Sequence, residues 1–549
     1  MTYRPHTSSR RNFLRFAAAW AAPSLPALSI AADDNAVSAL TYGADPTGQQ
    51  DSTKALNAAL ANTMLNGKPS HAGQVLHIPK GTYIVSGRLT VGSGQRIVFE
   101  PGVRIDATRL PSEVTSLFAM AGQTDIDMAG NGAELIGSRA SASKDVEGNQ
   151  AAIFIYGCTN VAVRDFKIRD FATDGITVTG EAAKNNPSRN VRIDNCEVRN
   201  CRRNGLSIIY ADDCVVTGGL YAGSAGAPHG PWAGIDIEPN VNQQVTGVKL
   251  VNVRTQDNAG PGLELVPGAS SIKAGSRFEV EVSGGESHND GSLDGLAGLH
   301  FACGGAMPNA VAGQVTVRGF QVISPKSSGV TFKNWDADKA PLALLEDVAV
   351  IDPDGTGNAH SNETRTGFVI FNDRHQAPQA IGNIRLVRCR AEDRRSTPRM
   401  TRGGILAVDP GKSIRNVSVV DFTAKNTLSK EKYDFSTLAS EVPGGLADTT
   451  IEYTKQVPVD VDSGASLHEV GGRSLRATRA GLKFSLPPAA NCRGLTMTVS
   501  AAGGIQGTTI VAEGSDHIQS AKGGAGRDLK IEAGQTVKLK SDGSSWIEQ

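Results

Sequence analysis

The sequence has no excess of either charge: Lys+Arg and Asp+Glu are both 55 in 549 residues. A nucleic-acid binder, which needs a basic footprint, is disfavoured by that balance. A local charged patch for an acidic polymer is still compatible with it. Aromatic residues are scarce, at 5%, while glycine is abundant at 62. That mixture suits many tight turns joining thin strands. The seven cysteines, at 158, 196, 201, 214, 303, 389 and 492, are odd in number and lack paired spacing. They make a poor disulfide framework and a poor zinc site, and read as small buried apolar residues. No glycine-rich phosphate loop follows a strand and opens a helix, so no nucleotide cofactor is expected. Beyond the N-terminus, no apolar run is long enough to span a membrane.

The N-terminus has the features of an address. Ser9-Arg10-Arg11-Asn12-Phe13-Leu14 reads as a twin-arginine signal, followed by a mildly apolar run over 16–28 and the small residues of Ser29-Ile30-Ala31-Ala32. Residues 1–32 are therefore expected to be a signal peptide read by the twin-arginine export machinery. The mature chain would reside in the periplasm or outside the cell.

From about residue 175 a short pattern recurs: glycine, apolar, variable, apolar, variable. Its glycines are Gly175, Gly205, Gly234, Gly262, Gly298, Gly329, Gly367 and Gly404, spaced 28 to 38 residues apart. A fixed period in that range marks a solenoid, and period-two alternation marks strands. Between these strands lie others such as Asn160-Val161-Ala162-Val163, Asn190-Val191-Arg192-Ile193, Gly247-Val248-Lys249-Leu250 and Asn383-Ile384-Arg385-Leu386, flanked by turn residues. Two or three strands per repeat, with no helix between them, predict stacked β coils. A propeller would need longer, four-stranded repeats. Near the start, Asp51 or Ser52 is placed to cap a helix through about residue 66, with Ala55, Leu56, Ala59 and Leu60 on one face. Strands over 75–78 and 83–85 follow. A helix over the open end is the expected cap of a solenoid.

Three segments carry a resemblance: Tyr42-Gly43-Ala44-Asp45-Pro46-Thr47-Gly48, the Asp51-Ser52-Thr53 helix start, and Ile78-Pro79-Lys80-Gly81-Thr82-Tyr83. Together they resemble the opening of the pectate-lyase-like superfamily, in its branch of rhamnogalacturonases, polygalacturonases, uronate epimerases and tail-spike enzymes. The resemblance covers about residues 37–450. It implies an all-β, right-handed parallel β-helix with an N-terminal capping helix, acting on a polysaccharide. The expected catalytic domain is 33–455. Residues 456–549 lose the repeat and read as a C-terminal β-rich accessory module; by analogy with tail-spike proteins it would allow a homotrimer. Asp212-Asp213 is similar to the paired aspartates of polygalacturonases only in part. The Gly-His-Gly and Arg-x-Lys partners of that family are missing, so its catalytic set is not carried over.

Side chains of a strand alternate between faces, so the variable positions of the repeat point outward. The first outward column reads Thr177, Ser207, Asp236, Glu264, His300, Thr331, Val369 and Leu406. The second reads Thr179, Ile209, Glu238, Val266, Ala302, Lys333, Phe371 and Val408. Ionisable groups thus gather on the middle coils. Neighbouring coils lie ~4.8 Å apart and alternate residues on a strand roughly 7 Å apart. These separations are near the carboxyl spacings of retaining (~5–5.5 Å) and inverting (~6.5–9.5 Å) glycosidases. Asp236, Glu238 and Glu264 are the candidate catalytic carboxylates of a glycoside hydrolase, in an order the sequence leaves open. His300, Lys333, Trp335, Trp232, His229, Asn334, Arg374 and His375 are candidate substrate-binding residues. No metal ligand set and no cofactor is expected for a hydrolase. The alternative is a polysaccharide lyase or uronate epimerase, in which the carboxylates could hold calcium and Lys333, His300 or Arg374 would be the base. A third reading is a non-catalytic carbohydrate-binding protein like a tail-spike.

Overall fold

The computed structural model describes residues 36–549 except 66–72, 112–115, 142–150, 269–272, 293–296, 305–306, 358–364, 373–377, 379, 408–411, 429–434, 438–445, 453–458 and 467–473. Three parallel sheets of 14, 13 and 12 strands run side by side through most of the chain. Each coil contributes one strand to each sheet, and a strand in one coil pairs with its counterpart in the next. The protein is a right-handed parallel β-helix with a small C-terminal β domain.

Local chemistry explains why the chain coils this way. At the start of the 14-stranded sheet's longer strands, residues in the left-handed backbone region stack from coil to coil. Asn160 (φ 57°) and Asn190 (φ 48°) are two of them. Asparagine tolerates this conformation better than other side chains. Its amide also bonds along the helix axis: Asn190 Nδ2 donates to Asn160 Oδ1 at 2.8 Å, and Asn160 Nδ2 to Asp125 Oδ1 at 2.8 Å. The repeat glycines serve a different need. They sit where the chain enters the 12-stranded sheet, and a Cβ on Gly205 would lie 2.6 Å from the carbonyl oxygen of Gly234 one coil on. Only a residue without a side chain fits there.

The opening segment also has a structural reason. The Asp45 carboxylate accepts hydrogen bonds from the backbone N–H groups of Thr47, Gln49 and Gln50 and from the Thr47 hydroxyl. Those donors, the Thr47 hydroxyl first, pull its pKa down to about 2. Gly81 packs against Pro46, where an added Cβ would come within 2.5 Å. The capping helix spans Thr53–Thr63 and buries Leu56, Ala59, Leu60 and Thr63. Asp51 Oδ1 accepts from the N–H of Thr53 at 2.8 Å. The helix ends a turn earlier than the pattern predicted.

One continuous core runs from Ala39 to Ile451. All seven cysteines are free and buried, as their scatter suggested. A second, separate core runs from Val461 to Trp546 among the C-terminal strands, which form a seven-stranded and a four-stranded sheet. Their strands include Lys483–Leu486, Thr496–Ala501 and Thr536–Ser541. Among the described residues, no helix is long and apolar enough to cross a membrane.

Candidate functional site

The 12-stranded sheet carries the outward columns, and its register joins the expected residues. Thr177 pairs with Ser207, Ser207 with Asp236, Asp236 with Glu264, Glu264 with His300, and His300 with Thr331. Asp236, Glu264 and His300 therefore stand on three consecutive coils. The final coil corrects the expected column. Val369 pairs with Ile405, not Leu406, because Phe368 pairs with Gly404 and the chain enters this strand at Gly403. Leu406 lies beside Ile370 and belongs to the core.

The site is recessed rather than spread over an open face. Asp236 is 6% exposed, Glu264 8% and His300 2%, while Glu238 and Lys333 are half-buried. Burial dominates the electrostatics, since a charge in this recess loses its water. Burial first, then the neighbouring Glu238 and Glu264, raises the Asp236 pKa far above the ordinary carboxyl value. Glu264 is pushed up to about 8 by burial and by Glu238, with Lys333 opposing. Glu238 is also raised by burial, and Arg203 opposes the rise. His300 is driven down to about 3 by burial and by Lys333, which makes it a neutral imidazole at physiological pH. Its Nδ1 contacts the hydroxyl of Thr331.

A supporting set was not foreseen in the sequence. Arg203 binds Asp174 through two hydrogen bonds, Nε to Oδ1 at 2.8 Å and Nη2 to Oδ2 at 2.6 Å. Ser207 and Thr177 donate to the same Asp174 carboxylate, at 2.9 and 3.1 Å. Asn204 holds Asp236: its Nδ2 donates to Asp236 Oδ2 at 3.0 Å, and its Oδ1 accepts from the N–H of Ala233 at 3.0 Å. Asp236 Oδ1 and Glu264 Oε2 are buried with no hydrogen-bond partner among the described residues. Unpaired buried carboxyl oxygens cost stability, so their retention at one place points to an external group that satisfies them.

The candidate binding residues divide. Lys333 ends the strand Val330–Lys333 and acts electrostatically on both Glu264 and His300. Trp335 corrects the sequence reading. It is fully buried, packed edge-on to Phe301 and Phe332, and its Nε1 donates to Pro341 O at 3.1 Å. It therefore offers no face to a sugar. Asn334, also expected at the surface, is 3% exposed and takes a left-handed φ of 54°. Trp232 is half-buried, with its Nε1 donating to Ala227 O at 3.0 Å, and His229 is exposed on the same loop. Arg374 and His375 lie outside the described residues, as do residues 1–35. Among the described residues, no three His, Cys, Asp or Glu side chains are placed to hold one metal ion.

Residues 36–257 match the family model for rhamnogalacturonase A/epimerase, pectate lyase-like. Over that span the chain is similar to pectate-lyase-like proteins. The matched span contains Asp174, Arg203, Asn204, Asp236 and Glu238, and ends before Glu264, His300 and Lys333. Among solved structures, a tailspike protein of E. coli bacteriophage HK620 in complex with a hexasaccharide aligns with a TM-score of 0.52 at 11% identity, over 87% of this chain and 80% of that one. Gene product 12 of bacteriophage phi29 aligns with a TM-score of 0.50 at 14% identity, over 88% of this chain and 64% of its own. The Bacillus subtilis (strain 168) "Uncharacterized protein YclG" is 28% identical over 278 residues, which are 46% of either chain. The match thus spans about half the length of that relative. The structural likenesses establish the fold of this chain alone.

Proposed function

We propose that this chain is an exported polysaccharide-acting enzyme, a glycoside hydrolase working through Asp236, Glu238 and Glu264. The observation that carries the reading is the recess: three carboxyl groups on two neighbouring coils, all with raised proton affinity, two of them with an unpaired oxygen. Hydrolysis of a glycosidic bond needs one carboxyl group that keeps its proton and one that gives it up. Glu264, at about 8, keeps a proton at neutral pH and can deliver it to a leaving oxygen. Glu238 has Arg203 to favour its ionised form, and serves as base or nucleophile. Asp236 pairs with Glu264 and lies two residues before Glu238, coupling the two charges. The family match and the saccharide-bound HK620 tailspike support a polysaccharide as the ligand. Export through the twin-arginine machinery and an accessory role for 456–549 belong to the same proposal; they rest on the sequence.

The neutral His300 beside Lys333 favours a second reading, a lyase or epimerase in which His300 takes a proton from a uronate carbon.

One assay separates the two. The protein is incubated with a panel of acidic and neutral polysaccharides while reducing ends and ultraviolet absorbance are followed together. The hydrolase reading expects new reducing ends without an unsaturated chromophore, and their loss in Glu264→Gln by about 10²-fold or more. A chromophore that survives in Glu264→Gln but is lost in His300→Ala would replace hydrolysis with elimination.

A further inference from the structure

Of the aromatic ring pairs among the described residues, all but one lie in the core. The exception is Phe154 with Tyr156, whose rings are nearly parallel, 18° apart, with centroids at 6.0 Å. Both are partly exposed and neither belongs to the buried core. They occupy alternate positions of the strand Ala151–Tyr156, in the sheet that carries the carboxylates. Register places them in the same two outward columns: Phe154 pairs with Thr177, and Tyr156 with Thr179. From Phe154 the first column continues through Thr177 and Ser207 to Asp236. The pair is thus three coils from the acidic recess, about 14 Å along the helix axis. On the coil before them the columns hold Ala119 and Ala121. On the coil after, they hold Thr177 and Thr179. Only small side chains flank the rings in either column; on the way to the recess Thr177 and Ser207 are buried and bonded to Asp174, so a chain reaching from recess to rings passes over the Asp174–Arg203 pair.

We propose that Phe154 and Tyr156 form a distal stacking subsite for a pyranose ring of the same polysaccharide chain whose linkage reaches the carboxylates. The proposal rests on the polysaccharide reading above. A pyranose has an apolar C–H face that packs on an aromatic ring, and burying that face is favourable without any charge. A sugar unit extends roughly the rise of one coil, ~4.8 Å, so a chain lying along the helix axis keeps step with the strands. It would span the distance from recess to rings in about three units. Short oligomers would then fill the recess without touching the rings, and long ones would engage both.

The test uses the full chain and affinity electrophoresis in gels containing polygalacturonate, rhamnogalacturonan I or a neutral 1,3-glucan. Four proteins are compared: wild type, Phe154→Ala/Tyr156→Ala, Phe154→Leu/Tyr156→Leu and Glu264→Gln. The expected result is retardation of the wild type by one polymer, weakened about tenfold in both ring variants. Three-unit fragments of that polymer should compete equally well against wild type and ring variants, and six-unit fragments better against wild type. The leucine pair keeps apolar bulk but not a flat face, so recovery of retardation there would reduce the rings to packing and overturn the proposal. Unchanged retardation in the alanine pair, or no retardation of the wild type by any of the three polymers, also overturns it. So does a change of oligomeric state in the ring variants by light scattering, which would make this face a contact between copies. Glu264→Gln should be retarded like wild type while losing turnover. If it retains turnover, the hydrolase reading fails and the subsite stands.

Discussion

Glu264 concentrates the residue-scale argument. Its proton affinity is raised from the ordinary glutamate value to about 8, chiefly by burial. The folded protein therefore binds a proton that the unfolded chain releases above about pH 4.5. The stability linked to that proton is fully present below the unfolded pKa and is lost as pH rises through 8. Asp236 acts in the same direction. Thermal unfolding followed from pH 5 to pH 9 should show a falling midpoint for the wild type and a flatter profile for Glu264→Gln, with the largest difference on the alkaline side. The linked free energy is on the order of a few kcal/mol at most. Equal slopes for the two proteins would show that Glu264 titrates as an ordinary surface carboxylate. On the proposed hydrolase reading turnover should follow the same group: its alkaline limb should lie near pH 8, where Glu264 would lose the proton that reading has it donate.

Elements carry the coil-to-coil geometry, and there the asparagine ladder is the part most open to test. Asn190 has a φ of 48° and bonds Asn160 on the coil before it. Replacing it with alanine removes that bond and puts an ordinary residue in the left-handed region, at about 1–2 kcal/mol. Asn190→Gly removes the bond alone and should cost less. Equilibrium denaturation gives the ordering; a glycine variant no more stable than the alanine variant would mean that backbone conformation is not what asparagine supplies. The legibility of the sequence follows the same elements. Glycine period and alternation led to the site sheet and to the Asp236, Glu264 and His300 column, since every coil repeats both signals. Asp174, Arg203 and Asn204 were missed because they precede their strands, where alternation says nothing about direction. Asn204 becomes visible only once the register brings it to Asp236 on the next coil. Trp335 was misplaced for a related reason: Asn334 reverses the backbone directly after Lys333, so the strand's in-and-out rule stops one residue before the tryptophan. Phe154 and Tyr156 escaped notice because no glycine opens their strand. At Gly403-Gly404 two glycines fit one place in the repeat, and the strand is entered at the first.

At the scale of the whole chain, the two buried cores are built on separate sheets. The β-helix core is a single continuous cluster whose coils each rest on the coils next to them, so a disturbance in it spreads along the axis. The C-terminal core is closed around Leu539, Trp546 and their neighbours, and Trp546 Nε1 is satisfied within that unit by Pro487 O at 3.0 Å. Separate cores predict separate unfolding steps. Scanning calorimetry should resolve two transitions, and Leu539→Ala, which empties a fully buried position, should cost about 2–5 kcal/mol in one of them. The other transition and the turnover of the recess should stay where they are, because Leu539 touches neither the β-helix core nor its carboxylates. A single transition that moves as a whole with Leu539→Ala would instead mean that the C-terminal sheets and the β-helix unfold as one cooperative body, and that the C-terminal domain is part of what holds the coils together.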